Sequence, residues 1–276
     1  MKQYLEAVNH CLKNGIDVES RSGKVRKAFG YQMRYKFDQG FPILTTKKVA
    51  WRSIVSELLW FLEGSGDERR LAEIHYEKKR SELLEKKTIW TKNADADYWK
   101  PKAKFEGDLG RIYGVQWRDF NGVDQITDLI NGLKNDPDSR RHILSAWNPS
   151  ELDQMALPAC HIFAQFFVSN NKLSCQLYQR SCDMFLGVPF NISSYSLLTH
   201  ILANECNFDL GEFIHTLGDY HIYHKHLPQI NEQIKRDTKA LPILEFNSKD
   251  IFEYSVNDFK LKDYECHPAI KAEMSV

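Results

Sequence analysis

Two short stretches of the chain contain residue types that could carry out covalent chemistry on an anion. Cys160 follows a bend at Pro158 in residues 157–161, and Arg180 stands at the end of the next apolar run, in residues 179–183. A thiol attacks as the thiolate, and a nearby fixed cation lowers its pKa. An arginine can also bind a phosphate through two parallel N–H groups. The pair therefore indicates covalent attack on a small anionic substrate.

The plainer interpretation of a cysteine is a small buried side chain, and it fits Cys11, Cys175 and Cys206, which lie within apolar patterns. It fits Cys160 less well, because Pro158 precedes this thiol at a bend. His161 is adjacent to the thiol in sequence. In a strand the two side chains point to opposite sides, so His161 is a poor candidate for the direct base.

Further arginines stand at turns or strand ends, namely Arg21 in a basic loop and Arg140 and Arg141 after a turn. Such residues are usually surface charge. Together with Arg180 they are placed where a phosphate could be bound.

Asn191 opens a long apolar stretch after a Gly-Val-Pro turn. It could cap a helix, but an amide also offers a donor beside an acceptor, which matches the imide edge of a uracil ring. His221 and Tyr223 alternate in a short stretch and would share one face of a strand. They could hydrogen-bond a sugar hydroxyl, although this signal is weak by itself.

Composition excludes several classes of protein. The 276 residues include 37 Lys+Arg and 37 Asp+Glu, so there is no general attraction to nucleic acid or membrane, and any anion site must be local. Apolar residues make up 42% and charged residues 27%, as in soluble globular proteins. The six cysteines have no C-x-x-C spacing, and no signal-like N-terminus or membrane-spanning run is present. We expect reduced thiols in a cytoplasm (a host cytoplasm if the source is viral).

Periodicity and turn signals predict one α+β domain, with helices and strands in runs. The predicted helices are 2–13, 51–62, 122–133 and 190–206. The predicted strands are 29–37, 142–147, 161–168, 173–180, 213–216 and 241–246, with 161–168 and 173–180 forming a hairpin through Asn170-Asn171. Residues 21–27 are predicted to be a polar loop. Residues 67–87 are charged and helix-prone, and we interpret them as a solvated helical face.

Taken as an ordered set, these residues resemble the thymidylate synthase family over nearly the whole chain. The similarity is strongest in residues 179–192 (QRSCDMFLGVPFNI). It is also carried by Arg21, Ile89-Trp90, Asp108-Leu109-Gly110, Tyr113-Gly114, Gln116-Trp117-Arg118, Ser139-Arg140-Arg141, Ser145-Ala146-Trp147-Asn148, Cys160-His161, Gly218-Asp219-Tyr220-His221-Ile222-Tyr223 and the C-terminal Val276.

The resemblance implies a single domain over residues 1–276 with a twisted mixed β-sheet flanked by helices. One face of the sheet is implied to form a homodimer interface. Residues 67–107 resemble a charged variable insertion, lengthened as in phage-type members. The implied substrates are dUMP and methylenetetrahydrofolate, which donates both a one-carbon unit and a hydride. No metal and no membrane are implied, and nucleic acid is not an expected partner.

Roles are implied residue by residue. Cys160 would add to carbon 6 of uracil, Glu57 would organise water for proton transfers, and Tyr113 would lie near the proton on carbon 5; Arg180 and Asp183 complete the catalytic set. The residues implied to bind the nucleotide are Arg21, Gln179, Arg180, Ser181, Asn191, His221 and Tyr223, with Arg140 and Arg141 donated by the partner subunit. The residues implied to bind folate are Ile89, Trp90, Leu157, Asp183, Gly187 and Val276.

The chain departs from the family pattern at several positions. Proline usually stands directly before the nucleophile, whereas this chain has Ala159 there and Pro158 one place earlier. The other departures are Arg111 in place of a proline, Thr91-Lys92 in place of an acidic pair, and Tyr220 in place of a small residue. We expect these changes to cluster at the thiol turn and the folate-side wall.

Two reactions stay open on the sequence. A synthase reduces the exocyclic methylene on the nucleotide with hydride, whereas a dUMP hydroxymethylase adds water to the same intermediate. Trp90 and Val276 favour the synthase, because both fit closure over a hydride donor. Asn191 points to uracil, since related cytidylate hydroxymethylases typically have Asp there. A pseudoenzyme or an RNA-binding regulator on this fold is a third class, which the neutral charge and intact Cys, Arg and Asn set disfavour.

Overall fold

The computed structural model of the protein describes residues 1–274. The α-helices are α1 (Lys2–Asn14), α2 (Trp51–Glu63), α3 (Glu68–Tyr76), α4 (Thr91–Ala94), α5 (Tyr113–Arg118), α6 (Gln125–Asn135), α7 (Gly187–Glu205) and α8 (Leu227–Gln233). The strands are β1 (Ile16–Ser20), β2 (Gly23–Lys36), β3 (Ile143–Ser145), β4 (His161–Ser169), β5 (Lys172–Asp183), β6 (Asp209–Tyr223), β7 (Ile243–Glu245) and β8 (Lys260–Lys262).

Most of the strands form one mixed sheet of six strands, in the order β1-β2-β6-β5-β4-β3. β5 and β6 run parallel, and the other neighbouring pairs are antiparallel. β7 and β8 form a small separate antiparallel pair. Helices and this sheet enclose one core, so the protein is the single α+β domain that the sequence predicts.

Helix α7 lies against the central strands β5 and β6. Every residue from 192 to 203 of this helix is buried. A helix that is covered on all sides is largely apolar, as the sequence of α7 is, and its buried Thr199 hydroxyl donates to the Tyr195 carbonyl at 2.7 Å. Burial of the helix therefore fixes its first turn, which contains Gly187 and Asn191, beside the end of β5.

The sheet topology gathers the candidate residues at one of its ends. β5 and β6 are parallel and end at Asp183 and Tyr223. β4 and β2 are antiparallel to them, so they begin at that same end, just after Cys160 and the turn containing Arg21. β3 is antiparallel to β4, which places the start of β3, and the arginines before it, at the opposite end.

Several predicted elements are confirmed. Helices appear over 2–14, 51–63 and 187–205, and β4 and β5 form the predicted hairpin. Asn170 and Asn171 both have positive φ, at 49° and 60°, as a two-residue hairpin turn requires. The helix predicted from residue 122 begins instead at Gln125, because the Asp124 carboxylate accepts the Thr127 N–H at 3.1 Å and caps it.

Other predictions were wrong. The loop predicted over 21–27 is a turn only at Arg21-Ser22, and β2 begins at Gly23 because it pairs with both β1 and the distant β6. The strand predicted over 213–216 is confirmed as a strand, but its bounds were too short, because it is the middle of the long β6. In the charged run 67–87, α3 ends at Tyr76, and Glu68 is buried rather than solvated. Within residues 1–274, no helix combines the length and apolar character needed to cross a membrane.

Candidate active site

Cys160 is half-buried at the turn into β4, and Arg180 holds that turn. The Arg180 Nε donates to the Ala159 carbonyl at 2.8 Å, and Nη2 donates to the Pro158 carbonyl at 2.9 Å. The Arg180 backbone N–H donates to the Cys160 carbonyl at 2.8 Å. One arginine therefore fixes three consecutive peptide groups of the irregular backbone that carries the thiol.

Two opposing effects act on the pKa of the Cys160 thiol. Burial raises it, because the thiolate loses hydration. The Arg180 charge and hydrogen bonds from the Tyr113 and Ser181 side chains act in the lowering direction. Burial is the larger effect in the free protein, so the net direction is upward. The expectation that the cation would depress the pKa describes only one contribution.

Tyr113 connects the thiol to the core. The Cys160 backbone N–H donates to the Tyr113 hydroxyl at 2.7 Å. The Tyr113 ring stacks on His161 with centroids 4.1 Å apart, and His161 Nδ1 lies 2.9 Å from the Tyr195 hydroxyl. Burial lowers the pKa of His161 to about 3, so this ring is neutral and supports the wall of the site.

Glu57 lies on α2 and is buried beside Trp90. The Trp90 indole N–H donates to Glu57 Oε1 at 2.7 Å. Burial raises the pKa of the Glu57 carboxyl to about 7, and the indole hydrogen bond opposes that rise only partly. The same charge acts on Tyr113, which places the carboxyl within electrostatic range of the thiol's partner. A carboxyl with a pKa near neutrality suits proton exchange.

The end of β5 and the start of α7 form a second wall. Asp183 Oδ1 accepts the N–H groups of Phe185 and Leu186 at 2.9 Å and 3.2 Å, which shapes the turn between the two elements. A Cβ added at Gly187 would lie 3.6 Å from the Asp183 Cβ and 3.8 Å from Asn191 Oδ1. Asp183, Gly187 and Asn191 are therefore close to one another, and their predicted contacts with folate and nucleotide stay predictions.

Gln179 and Ser181 stand two residues apart on β5. Gln179 is buried; its Nε2 donates to the Ser181 carbonyl at 3.0 Å and its Oε1 lies 2.9 Å from His215 Nε2. These bonds fix the backbone at Ser181, whose side chain reaches the thiol. Gln179 thus positions Ser181 in the free protein, and its predicted contact with the nucleotide stays a prediction.

His221 and Tyr223 lie at the end of β6 with ring centroids 5.3 Å apart, so they share a face as predicted. The His221 Nδ1 lies 3.2 Å from Asp219 Oδ1, and Lys27 on β2 donates to the other Asp219 oxygen at 2.9 Å. Hydrogen bonds from His221 and Lys27 hold the pKa of the Asp219 carboxyl below its usual range. The sequence reasoning missed Asp219 and Lys27, because their contact joins distant parts of the chain.

A buried lysine was also missed. Lys47 is buried with its ammonium 3.4 Å above the Phe185 ring centroid, and it donates to the Phe185 carbonyl. Burial lowers its pKa to about 7, while the Asp183 charge opposes that change. Lys47 therefore braces the turn that Asp183 caps. Its position in a Thr-Thr-Lys-Lys run gave no local sign of burial.

The remaining predicted residues lie at the rim or elsewhere. Arg21 is exposed at the β1–β2 turn, Leu157 is half-buried before the thiol, and Ile89 is 41% exposed beside Trp90. Arg140 and Arg141 are exposed near the far end of β4, where the Arg140 carbonyl accepts the Gln165 side chain at 3.2 Å. Val276 lies outside the described residues.

One departure from the family pattern is not where it was expected. Tyr220 is fully buried on the side of β6 that faces α1, with its hydroxyl 2.5 Å from His10 Nδ1 and its ring 5.8 Å from that of Tyr31. The expectation that this change lies at the folate-side wall is wrong, because neighbouring side chains on a strand point to opposite faces.

A half-buried thiol that contacts two hydroxyl groups and faces a guanidinium at one end of a mixed sheet defines an enzyme that can attack its substrate through sulfur. The thymidylate synthase family model matches residues 2–276, and the chain belongs to that family. Membership supports an enzyme that transfers a one-carbon unit to dUMP, by methylation or hydroxymethylation, with methylenetetrahydrofolate as the co-substrate.

Proposed function

We propose that the protein converts dUMP to dTMP, with methylenetetrahydrofolate as the donor of both the one-carbon unit and the hydride. The observation that carries the proposal is the position of Cys160, half-buried at the sheet end and held by Arg180 and Tyr113. The same sheet end contains an amide on α7 and a histidine–tyrosine pair on β6, which suit a pyrimidine ring and a sugar.

The nucleotide would bind through groups from several elements. Arg21, Arg180 and Ser181 would contact the phosphate. In Arg180, Nε and Nη2 serve the backbone, whereas Nη1 makes no hydrogen bond within residues 1–274 and is left to bind an anion. His221 and Tyr223 would contact the ribose, and Asn191 would pair with the uracil imide, with Gln179 behind the phosphate-binding residues. The bound phosphate is an anion, so it does not lower the pKa of the thiol. Most of the activation of the thiol must therefore come from Arg180 and the hydroxyl groups of Tyr113 and Ser181.

In the reaction, the Cys160 thiolate would add to carbon 6 of uracil, and the π electrons of the ring would make carbon 5 the nucleophile toward the one-carbon unit. The carbon 5 proton must then leave as the bond between the one-carbon unit and the folate nitrogen breaks, which gives the exocyclic methylene with tetrahydrofolate as the leaving group. Tyr113 lies close to the thiol that marks this position. Glu57 would relay protons between the ring and water, which suits a carboxyl with a pKa near 7. Hydride addition to the exocyclic methylene and departure of the thiolate would complete the product.

The folate would lie against the second wall of the site. Ile89 offers an exposed apolar side chain, Leu157 is half-buried, Trp90 is buried, and Gly187 leaves room at the start of α7. Only Oδ1 of Asp183 is used in hydrogen bonds within residues 1–274, so Oδ2 can accept an N–H group of a pterin ring. These groups fit an aromatic, hydrogen-bonding co-substrate, and Val276 is proposed to close over it.

The dUMP hydroxymethylase reaction is the second candidate. It uses the same steps up to the exocyclic methylene, and the departures from the family pattern at Ala159, Arg111 and Thr91 support it. Incubation with dUMP and methylenetetrahydrofolate separates the two reactions. Dihydrofolate and dTMP as products support the synthase. Tetrahydrofolate and 5-hydroxymethyl-dUMP establish the hydroxymethylase, and recovery of unchanged dUMP refutes both.

We also propose a homodimer in which Arg140 and Arg141 reach the partner's site. Their own thiol lies at the other end of β4, so at about 3.3 Å per residue they are roughly 20 Å away from it. The sheet carries a groove lined by Phe167, Gln176 and Ile214 on the face away from α7, which offers apolar surface to a second copy. The six cysteines are free thiols, which is compatible with a reducing cytoplasm.

A further inference from the structure

We propose that the charged segment 67–107 positions the nucleophile, through a hydrogen bond from the Tyr98 hydroxyl to the Ala156 carbonyl. This inference rests on the proposed function only in taking Cys160 as the nucleophile. The hydrogen bond measures 2.8 Å and joins an exposed tyrosine of the segment to the backbone four residues before the thiol. Tyr98 is a positioning residue, because it acts on Cys160 through the backbone.

The stretch 153–160 that leads to the thiol is mostly irregular, so its peptide groups need partners from outside. The Gln154 carbonyl accepts the Arg111 N–H at 2.9 Å. Two residues later, the Ala156 N–H donates to the Leu109 carbonyl at 3.0 Å. Arg180 then holds the carbonyls nearest the thiol. Between these two anchors the Ala156 carbonyl is held by the Tyr98 side chain.

Tyr98 is itself held in place by its neighbour. Trp99 is buried, and its indole N–H donates to the Asp108 carbonyl at 2.7 Å. A Cβ at Gly110 would lie 2.8 Å from the Trp99 ring and 2.0 Å from the Gln154 carbonyl, so the ring, this glycine and the thiol-bearing stretch are in close contact. The backbone at Tyr98 is therefore held, through Trp99, against the stretch that contains Gln154 and Ala156.

A second side chain of the segment acts on the same stretch. The Lys102 ammonium donates to the Asp153 carbonyl at 3.1 Å. This bond is exposed and joins a flexible side chain to a residue farther from the thiol, so it contributes less than the Tyr98 bond. In both contacts, a side chain of segment 67–107 donates a hydrogen bond to the backbone that leads to Cys160.

The test compares Tyr98→Phe with Tyr76→Phe. Each substitution removes one tyrosine hydroxyl from segment 67–107, but the Tyr76 hydroxyl donates to the Lys87 carbonyl at 3.3 Å, within the segment itself. Two readouts are used: the pH dependence of Cys160 alkylation by iodoacetamide, located by mass spectrometry, and the kcat and KM for dUMP. Melting temperatures of both variants and the wild type are measured in parallel.

Tyr98→Phe is expected to lower kcat about tenfold with KM for dUMP changed less than about twofold, because misplacement of a reacting atom affects the chemical step most. The alkylation profile should move to lower pH, because a loosened thiol is better hydrated and loses the burial that raises its pKa. Tyr76→Phe should match the wild type in both readouts, with a melting temperature close to that of Tyr98→Phe.

An alkylation profile and kcat of Tyr98→Phe that equal those of Tyr76→Phe would overturn the inference. Equal changes in both variants that follow the melting temperature would overturn it too, because they would reflect general destabilisation. If the wild type turns over no dUMP, the proposed function fails, but the alkylation comparison still decides whether Tyr98 positions the thiol.

Discussion

At Cys160, burial and a nearby cation act on one thiol in opposite directions, and burial has the larger effect in the free protein. The thiol is therefore mostly protonated at neutral pH and protected from adventitious oxidation, which requires the thiolate. Activation must then come from Arg180 and the hydroxyl groups of Tyr113 and Ser181, whose effects lower the pKa of the thiol. Arg180 is the residue through which this control acts, because it is bound both to the thiol turn and, in our proposal, to the phosphate.

Replacing Cys160 by Ser should lower turnover of dUMP by at least about a thousandfold, because the covalent step loses its nucleophile. Binding of dUMP, measured by isothermal titration calorimetry, should persist, since the arginines and Asn191 are unchanged. Cys206→Ala, at a buried thiol far from the site, is the matched control and should keep its activity. Retained turnover above a few per cent in Cys160→Ser would exclude the covalent mechanism.

Glu57 gives a prediction on stability. Its pKa in the folded protein is about 7, raised by burial, so the folded state binds a proton that the unfolded chain releases near its ordinary, lower pKa. The protonated carboxyl is fully compatible with the fold at low pH, and the free energy of unfolding falls as the pH rises toward 7. Glu57→Gln should remove this loss.

Measured by urea denaturation, Glu57→Gln should gain about 2.5 kcal/mol over the wild type between pH 5 and pH 8, because roughly 1.8 units of the difference between the folded and unfolded pKa values are expressed in that range, at about 1.4 kcal/mol per unit. The same variant should lose at least about a hundredfold in kcat, as expected for a proton-transfer group. A stability difference that does not vary with pH would show that the carboxyl is not the buried titrating group.

At the scale of elements, β2 and β6 do more than extend the sheet. Their register pairs Lys27 with His221 and Phe29 with Asp219, so the Asp219 carboxylate lies between a lysine and a histidine. A carboxylate on Nδ1 orients the ring and leaves Nε2 to face a ligand. Strand pairing therefore determines the orientation of the His221 ring.

Lys27→Met should raise the KM for dUMP about five- to tenfold with little change in kcat, because loosening His221 weakens ground-state binding. Lys27→Arg keeps the positive charge beside Asp219 and should restore most of the affinity. Steady-state kinetics on the three proteins decides. A fall in kcat at constant KM would place Lys27 in the chemical step instead.

At the scale of the whole molecule, the site in one chain has its thiol and Arg180 at one end of the sheet and Arg140 and Arg141 at the other. An arginine side chain cannot cross that distance. Arg140 and Arg141 can therefore take part in such a site only if a second copy of the chain supplies them, as a symmetric dimer would.

Mixing two inactive variants tests this arrangement. In a dimer of one Arg140→Ala subunit and one Cys160→Ala subunit, the site that has Cys160 would receive Arg140 from the partner. Random mixing after refolding should restore about a quarter of wild-type activity, because half of the dimers are mixed and each has one intact site. Activity no higher than that of Arg140→Ala alone would show that each site uses its own arginine.

The sequence was most informative where function depends on a short run of residues. The 179–192 block and the Asn170-Asn171 hairpin could be assigned, because their geometry follows from neighbouring residues. The turn before Cys160 was assigned from Pro158, but its backbone is held by the distant Arg180 and Tyr98. Elements held by distant partners were assigned less well. The start of β2 was mistaken for a loop because its strand character comes from pairing with β6, nearly 200 residues away.

By itself, the sequence determined the family and the α+β class and proposed Cys160 as the nucleophile, since these rest on ordered motifs and local periodicity. Only the tertiary structure decided the contacts of the site: the Trp90 indole bonds to Glu57, Lys27 to Asp219 and Tyr98 to the Ala156 carbonyl. It also placed Tyr220 outside the site, on the side of β6 that faces α1. Such contacts are set by packing and strand pairing between distant segments, and burial then changes the pKa values that the chemistry uses.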